Sequence, residues 1–280
     1  MNLLKSELDG RLVKHTFERV APCYDDFSFL QKEVSERMAT RLNYMHFTPA
    51  NILDAGSGTG YGGFLLRQCY GDTPILETDI ALPMLWQSHQ KFLSAYSPTK
   101  KQWLLNADIG ILPIASNQID MVWSNLALHW INRLDDVLKE FYRVLRLNGF
   151  IMFSMFGEQT LQELRYAFWQ VNQKQSVHGF LPIEEVGDAL VRSGFSEPVV
   201  DKEVITLTYP DILSMVCDLR GNGACNQLLS RRTGLMGKKR WQNMVKYYES
   251  FRKNGDLPVT CEIIYGHAWR MESSSSYSLS

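Results

Sequence analysis

A glycine-rich run, Asp54-Ala55-Gly56-Ser57-Gly58-Thr59-Gly60, directly follows the short apolar segment Ile52-Leu53 and precedes an apolar stretch of helical length. A strand, a glycine turn and a helix in that order are half of a parallel βαβ unit, and few folds accommodate them otherwise. Glycine tolerates positive φ and carries no Cβ, so the chain can bend sharply and let a ligand approach the backbone. The helix start then presents unpaired N–H groups to a polar or anionic ligand group. The spacing G-x-G-x-G is one residue short of the dinucleotide fingerprint G-x-G-x-x-G. The loop alone therefore indicates a nucleotide-like ligand without choosing one, and glycine turns also serve as plain punctuation.

The flanking pattern extends this start into an α/β fold. After Pro49, short apolar runs alternate with amphipathic stretches, which predicts a parallel sheet with crossover helices. Strands are expected at 52–53, 75–76, 103–105, 119–123, 150–153, 199–207 and 261–269, and helices around 61–69, 81–94, 134–146, 160–172 and 183–193. Residues 11–46 read as helical with an interruption at Ala21-Pro22, because proline disfavours helix in the residue before it. Some fifty residues, 208–258, separate the last two strands, too many for a plain connection, so a helical insert or lid is expected there. The Ser-rich end, 271–280, reads as a frayed tail.

Two acids strengthen the ligand reading. Asp79 ends the second strand, twenty-five positions after Asp54, where a carboxylate can accept from both hydroxyls of a ribose. Asp108 follows the third strand, where it can accept from an adenine amino group. Either alone reads as a helix cap or turn residue. Three acids at the carboxyl ends of three successive strands fall where open α/β sheets bind ligands.

Composition excludes several classes. Net charge is −1, against a chain built around nucleic acid. The five cysteines, Cys23, Cys69, Cys217, Cys225 and Cys261, have neither C-x-x-C spacing nor histidine partners, which suits reduced thiols and no metal site. No run reaches the roughly 18 apolar residues a membrane span needs. The first fifteen residues lack an apolar signal core, so a cytoplasmic location is expected.

Over residues 49–155 these features resemble the class I S-adenosylmethionine-dependent methyltransferases. The resemblance implies a Rossmann-like, seven-stranded, mostly parallel sheet with an antiparallel last strand, and S-adenosylmethionine as cofactor. By the same resemblance Asp54, Ala55, Gly56, Ser57, Gly58 and Gly60 face its methionine part, and Asp79 holds the ribose. Ile80 packs on the adenine, and Asp108 with Ile109 reads its edge. Lys14, Tyr24 and Met84 complete the cofactor surroundings, with Asn125-Leu126 closing the methionyl side.

The flanks carry a narrower resemblance. Lys14, Phe17, Ala21, Tyr24-Asp25 and Leu30-Gln31 are similar to the N-terminal cap of the malonyl-acyl-carrier-protein O-methyltransferases of biotin synthesis. So are 124–130, 153–154, 160–165, 178–180, Leu219-Arg220-Gly221-Asn222-Gly223-Ala224-Cys225-Asn226, Gly234-Leu235 and 257–266. The implied layout is one domain over 1–270: a cap at 1–48, a core at 49–207 and 259–270, and a basic insert at 208–258. The implied reaction is methyl transfer to the free carboxylate of malonyl-acyl carrier protein. Two positions depart from that family: His129 stands where glutamine is usual, and Asn148-Gly149 where proline-glycine is.

The insert adds a physical clue. Between Arg220 and Lys253 lie nine basic residues (Arg220, Arg231, Arg232, Lys238, Lys239, Arg240, Lys246, Arg252, Lys253) against one acid, Glu249. A charge run is ordinarily a solvated face, yet one so polarised also steers an acidic partner such as an acyl carrier protein. Arg231, Arg232, Lys238, Lys239 and Arg240 are the expected carrier contacts.

A carboxylate acceptor is already ionised at neutral pH and needs no general base. It does need replacement of its lost water. Arg220 is the first candidate for that, Arg165 the second, with Tyr24 and His129 as hydrogen-bond donors. Alternatives are another small carboxylic acid such as aconitate, or a quinone or sterol precursor whose hydroxyl His129 would deprotonate. A non-methylating assembly factor that hydroxylates a protein arginine on the same fold is a further one.

Overall fold

The computed structural model describes residues 7–97, 100–171, 177–231, 234 and 236–272. The chain runs α1 (Gly10–Val20), α2 (Phe29–Leu42), β1 (Ile52–Ala55), α3 (Tyr61–Tyr70), β2 (Ile75–Asp79), α4 (Leu82–Ala95), β3 (Trp103–Asn106) and β4 (Ile119–Asn125). It continues α5 (Leu134–Val144), β5 (Leu145–Phe156), α6 (Gln162–Gln170), α7 (Ile183–Arg192), β6 (Ser196–Tyr209), α8 (Ile212–Gly221), α9 (Lys238–Glu249) and β7 (Leu257–Arg270). The sheet has seven strands in the order β3-β2-β1-β4-β5-β7-β6. Strands β1 to β5 pair in parallel, and β7 runs antiparallel between β5 and β6.

Burial explains which runs became which strands. β1 is buried at all four positions and β5 from Gly149 to Met155, the continuous apolar signature of strands covered on both faces. β6 alternates partly buried and exposed residues, as an edge strand with one solvated face does. One face of the sheet packs α2, α3 and α6 together with α8 and α9 from the β6–β7 insert. The other packs α5 and α7. In α5, Leu134, Val137, Leu138, Phe141 and Val144 are buried at helical spacing, with Asp135 and Asp136 in the first turn and Arg143 in the last.

Small departures from expectation have local causes. α6 begins at Gln162 rather than 160 because Leu161 sits in the left-handed region at φ 58°, which a helix cannot include. α5 stops at Val144 because β5 starts at the next residue. Asn148 (φ 62°) and Gly149 form an irregularity inside β5 rather than a free turn, since the β4–β5 register shifts between Ile119 and Met121. Among the described residues no helix is long and apolar enough to cross a membrane, and no cluster fit for a metal ion occurs. None of the five cysteines is bonded to another.

Candidate active site

The strand order reverses between β1 and β4, and the crevice at the carboxyl ends there is where such sheets bind ligands. A cavity of about 220 Å³ opens at that point. Its first half is lined by Gly56, Gly58, Asp79, Ile80, Met84, Asp108, Ile109, Asn125 and Leu126, with Tyr24 from the cap. Gly56 needs its glycine twice over: φ is +76°, and a Cβ would stand 2.5 Å from that of Ala127. Gly58 (φ +54°) has nothing within 4 Å of where a Cβ would stand, which leaves a cradle open on the cavity side of the loop.

Asp79 faces this half. One carboxylate oxygen accepts from the Gly58 N–H at 3.0 Å and the other from Ala81 N–H at 2.8 Å. Burial pushes its pKa up to about 6 although those two donors pull it down. A buried carboxylate with lone pairs to spare matches a ligand bearing neighbouring hydroxyls. The donor set therefore fits a nucleoside.

Asp54 plays another part. It is 1% exposed and lies beneath the loop, outside the cavity wall, with one carboxylate oxygen lacking a hydrogen-bond partner. Burial and the nearby Glu77 charge hold it well above the usual carboxylate range. Ala55, Ser57 and Gly60 likewise shape the loop without lining the cavity, and Lys14 is half-buried on α1, 3.9 Å from Glu18. Glu77 is a group the sequence reading missed. Fully buried, it binds Arg67 at 2.8 Å, Gln102 at 3.0 Å and Ser88, and so fastens α3 and α4 to β2.

The cap is clasped to the loop. Thr59 donates to Asp25 at 2.7 Å, Lys32 donates to the Asp25 carbonyl at 2.9 Å, and Lys91 of α4 pairs with the same aspartate. Asn125 donates to the Gln31 carbonyl at 2.9 Å and accepts from Ser154 at 2.7 Å, so α2, β4 and β5 meet at one side chain. Tyr24 lies where burial and the Asp79 and Asp25 charges raise its pKa, so its hydroxyl stays protonated.

The second half is assembled from distant segments. His129, Trp130, Phe156, Thr160, His178, Phe180, Leu219, Asn222, Cys225, Asn226 and Cys261 contribute to it. The insert closes it against the cap. Asp9 N–H donates to Gln227 O and Leu229 N–H to Glu7 O, both at 2.8 Å, and Arg231 lies 3.7 Å from Asp9. Gly221 makes that closure possible, because a Cβ there would stand 2.2 Å from the Phe27 ring.

Neither arginine proposed for the acceptor carboxylate is in the wall. Arg220 is exposed on the last turn of α8, while Leu219 beside it lines the cavity. Arg165 is half-buried and donates to the Thr160 and Glu158 carbonyls, fixing the loop that bears Thr160. Among the described residues the lining contains no lysine or arginine. Of the basic run, Lys238, Lys239, Arg240 and Lys246 are exposed on α9, Arg252 is bound to Glu249 at 2.7 Å, and Arg232, like Leu235, lies outside the described residues.

Comparison with known proteins decides the family. Residues 53–153 match the model of a methyltransferase domain. A malonyl-[acyl-carrier protein] O-methyltransferase of Laribacter hongkongensis is 46% identical over 270 residues, covering 94% of this chain and 90% of that one. That of Gallionella capsiferriformans is 42% identical over 265 residues, covering 94% and 91%. The chain belongs to the malonyl-[acyl-carrier protein] O-methyltransferase family.

Solved structures agree on the fold. The YcgJ protein of Bacillus subtilis superposes with a TM-score of 0.61 at 12% identity, covering 85% of this chain and all of that one. A phosphoethanolamine N-methyltransferase of Haemonchus contortus, solved with S-adenosyl-L-methionine, gives 0.56 at 15%, covering 91% and 57%. Within the malonyl-[acyl-carrier protein] O-methyltransferase family, then, this chain puts its glycine loop on one side of the cavity and its cap and insert on the other.

Proposed function

We propose that the protein transfers the methyl group of S-adenosylmethionine to the free carboxylate of a malonyl-acyl carrier protein, giving the methyl ester that starts pimeloyl and biotin synthesis in the cytoplasm. The observation that carries the reading is a single cavity with a nucleoside-fitting half and an acceptor half sealed by cap and insert, in a chain 46% identical to a protein of that name. One domain does this, with 1–48 as cap, 208–258 as lid and 271–280 as a tail, of which 273–280 lie outside the described residues.

Asp79 holds the ribose hydroxyls, Ile80 and Met84 flank the adenine, and Asp108 with Ile109 reads its edge. Gly56, Gly58, Asn125 and Leu126 meet the methionyl part, supported from below by Asp54, Ala55, Ser57 and Gly60. Lys14 of the cap is assigned to the cofactor surroundings. When bound, S-adenosylmethionine supplies an electrophilic methyl on a sulfonium. A carboxylate acceptor would take that methyl without having to lose a proton, so the chain needs no general base. The protein's task is alignment and exclusion of water, for which effective molarity is worth roughly 7–11 kcal/mol. Tyr24, protonated and at the junction of the two halves, donates to the acceptor. Arg165 holds the Thr160 loop, and Arg220 follows Leu219 of the cavity wall.

Lys238, Lys239 and Arg240, exposed on α9, are assigned to the acidic carrier, together with Arg231 and with Arg232, which lies outside the described residues. The reading is tested with an acceptor panel followed by release of S-adenosylhomocysteine. Malonyl carrier should be turned over far faster than a small malonyl thioester, aconitate or a quinol, and unloaded carrier not at all. Equal rates on the small thioester would remove the carrier from the reading, and a preference for the quinol would replace it.

A further inference from the structure

His129 is the one histidine in the acceptor half that the fold buries among aromatic rings and leaves without hydrogen bonds. It is 4% exposed, and both ring nitrogens lack a hydrogen-bond partner among the described residues. Its ring centroid lies 4.5 Å from that of Phe156, 5.0 Å from Trp130 and 5.8 Å from Phe180. A buried polar group left unpaired costs roughly 1–3 kcal/mol, so a site that keeps one is built around something that pairs with it. The ring is wall to the main cavity and also to a second one of about 20 Å³, whose lining includes Asn132 and His178. That smaller space holds about one water.

We propose that His129 binds the methyl acceptor directly, donating one ring N–H to an oxygen of its carboxylate and acting as a hydrogen-bond donor, not as a base. The second nitrogen is served from the small cavity. This deepens the malonyl reading and rests on it. Geometry carries the assignment: an apolar box fixes the ring plane, and a flat ring in a fixed plane can orient an oxygen for in-line transfer. Charge supports it. Burial, seconded by the charge of His178, holds the His129 pKa well below the ordinary histidine value. The other side chains packed on the ring, Trp130, Phe156 and Phe180, carry no charge. A neutral imidazole keeps one donor and one acceptor, and a glutamine amide offers the same pair with no basic nitrogen.

Two substitutions separate donor from base. His129→Leu should lower kcat/KM for malonyl carrier by about 10- to 100-fold, the size of a lost hydrogen bond to a charged group. His129→Gln should recover most of that loss. Cofactor affinity, measured directly by titration, should stay within about twofold in both variants, which shows that they fold. Nitrogen NMR of the ring should show an imidazole still neutral where an ordinary histidine is already protonated, with its N–H resonance moving when malonyl carrier is added to the protein. A Gln variant as impaired as the Leu variant overturns the proposal and makes the ring a base for a hydroxyl acceptor. A Leu variant with unchanged kinetics, or an N–H that ignores the acceptor, overturns it also. A wild type that does not methylate malonyl carrier at all would sink the functional reading itself, a separate result.

Discussion

The two halves of the cavity are built on different principles. The half that fits a nucleoside is lined at successive strand ends: Gly56 and Gly58 after β1, Asp79 at the end of β2, Asp108 just after β3 and Asn125 at the end of β4. The acceptor half is side chains from the cap, the segment after β4, the 156–164 and 177–180 stretches, and the insert. The first half is lined by groups the fold must have anyway. The second exists only while the cap and the insert stay docked through Gly221, Gln227 and the Asp25 clasp. Damage to the first should therefore appear in cofactor affinity, and damage to the second in acceptor KM.

The largest effect should come from breaking the loop. Gly56→Val forces a side chain into left-handed backbone and against Ala127. With strain of about 1–3 kcal/mol and overpacking of similar size, cofactor affinity should fall by about two orders of magnitude or more, as calorimetry would show. Asp79→Asn should weaken cofactor binding by about 10- to 100-fold, the worth of hydrogen bonds to a charged acceptor. The same residue sets a pH dependence. Its pKa is raised to about 6 before ligand binds, and ribose donors favour the ionised form. Cofactor affinity should thus hold above pH 6 and decline as pH falls through it, and the Asn variant should lose that decline.

Gly221→Ala tests the other half. The added methyl meets Phe27, so the cap must shift at a cost of about 1–3 kcal/mol. Acceptor KM should rise several-fold while cofactor affinity moves less, and thermal melting should drop. A larger loss of cofactor affinity than of acceptor KM would break the division into halves. The smallest effect is expected on the surface. Charge reversal at Lys238, Lys239 and Arg240 should raise KM for the carrier by about tenfold at low salt, shrinking toward none near 1 M, where the screening length is about 3 Å. Insensitivity to salt would remove α9 from the carrier contact.

How much the sequence disclosed follows the same division. The loop, Asp79 and Asp108 were legible because chain order and spatial order coincide at successive strand ends, and hydrophobic runs located all seven strands. Glu77 was not legible, since its partners Arg67, Ser88 and Gln102 lie on three elements that meet only in the fold. Residue type announces charge but not direction, so the sequence could not place Arg220, which is exposed at the end of α8. One position earlier on the helix, Leu219 faces the cavity instead. The small residues around Arg220 held the better signal: Gly221 is where a cap ring comes too close for any Cβ.

The identity of the atom that receives the methyl group decides the function. Incubation of the protein and S-adenosylmethionine with malonyl carrier, followed by intact and fragment mass spectrometry, reads it directly. The expectation is a single methyl on the malonyl carboxyl of the phosphopantetheine fragment and none on unloaded carrier. A methyl found on the carrier polypeptide, or none on the malonyl group, would contradict it.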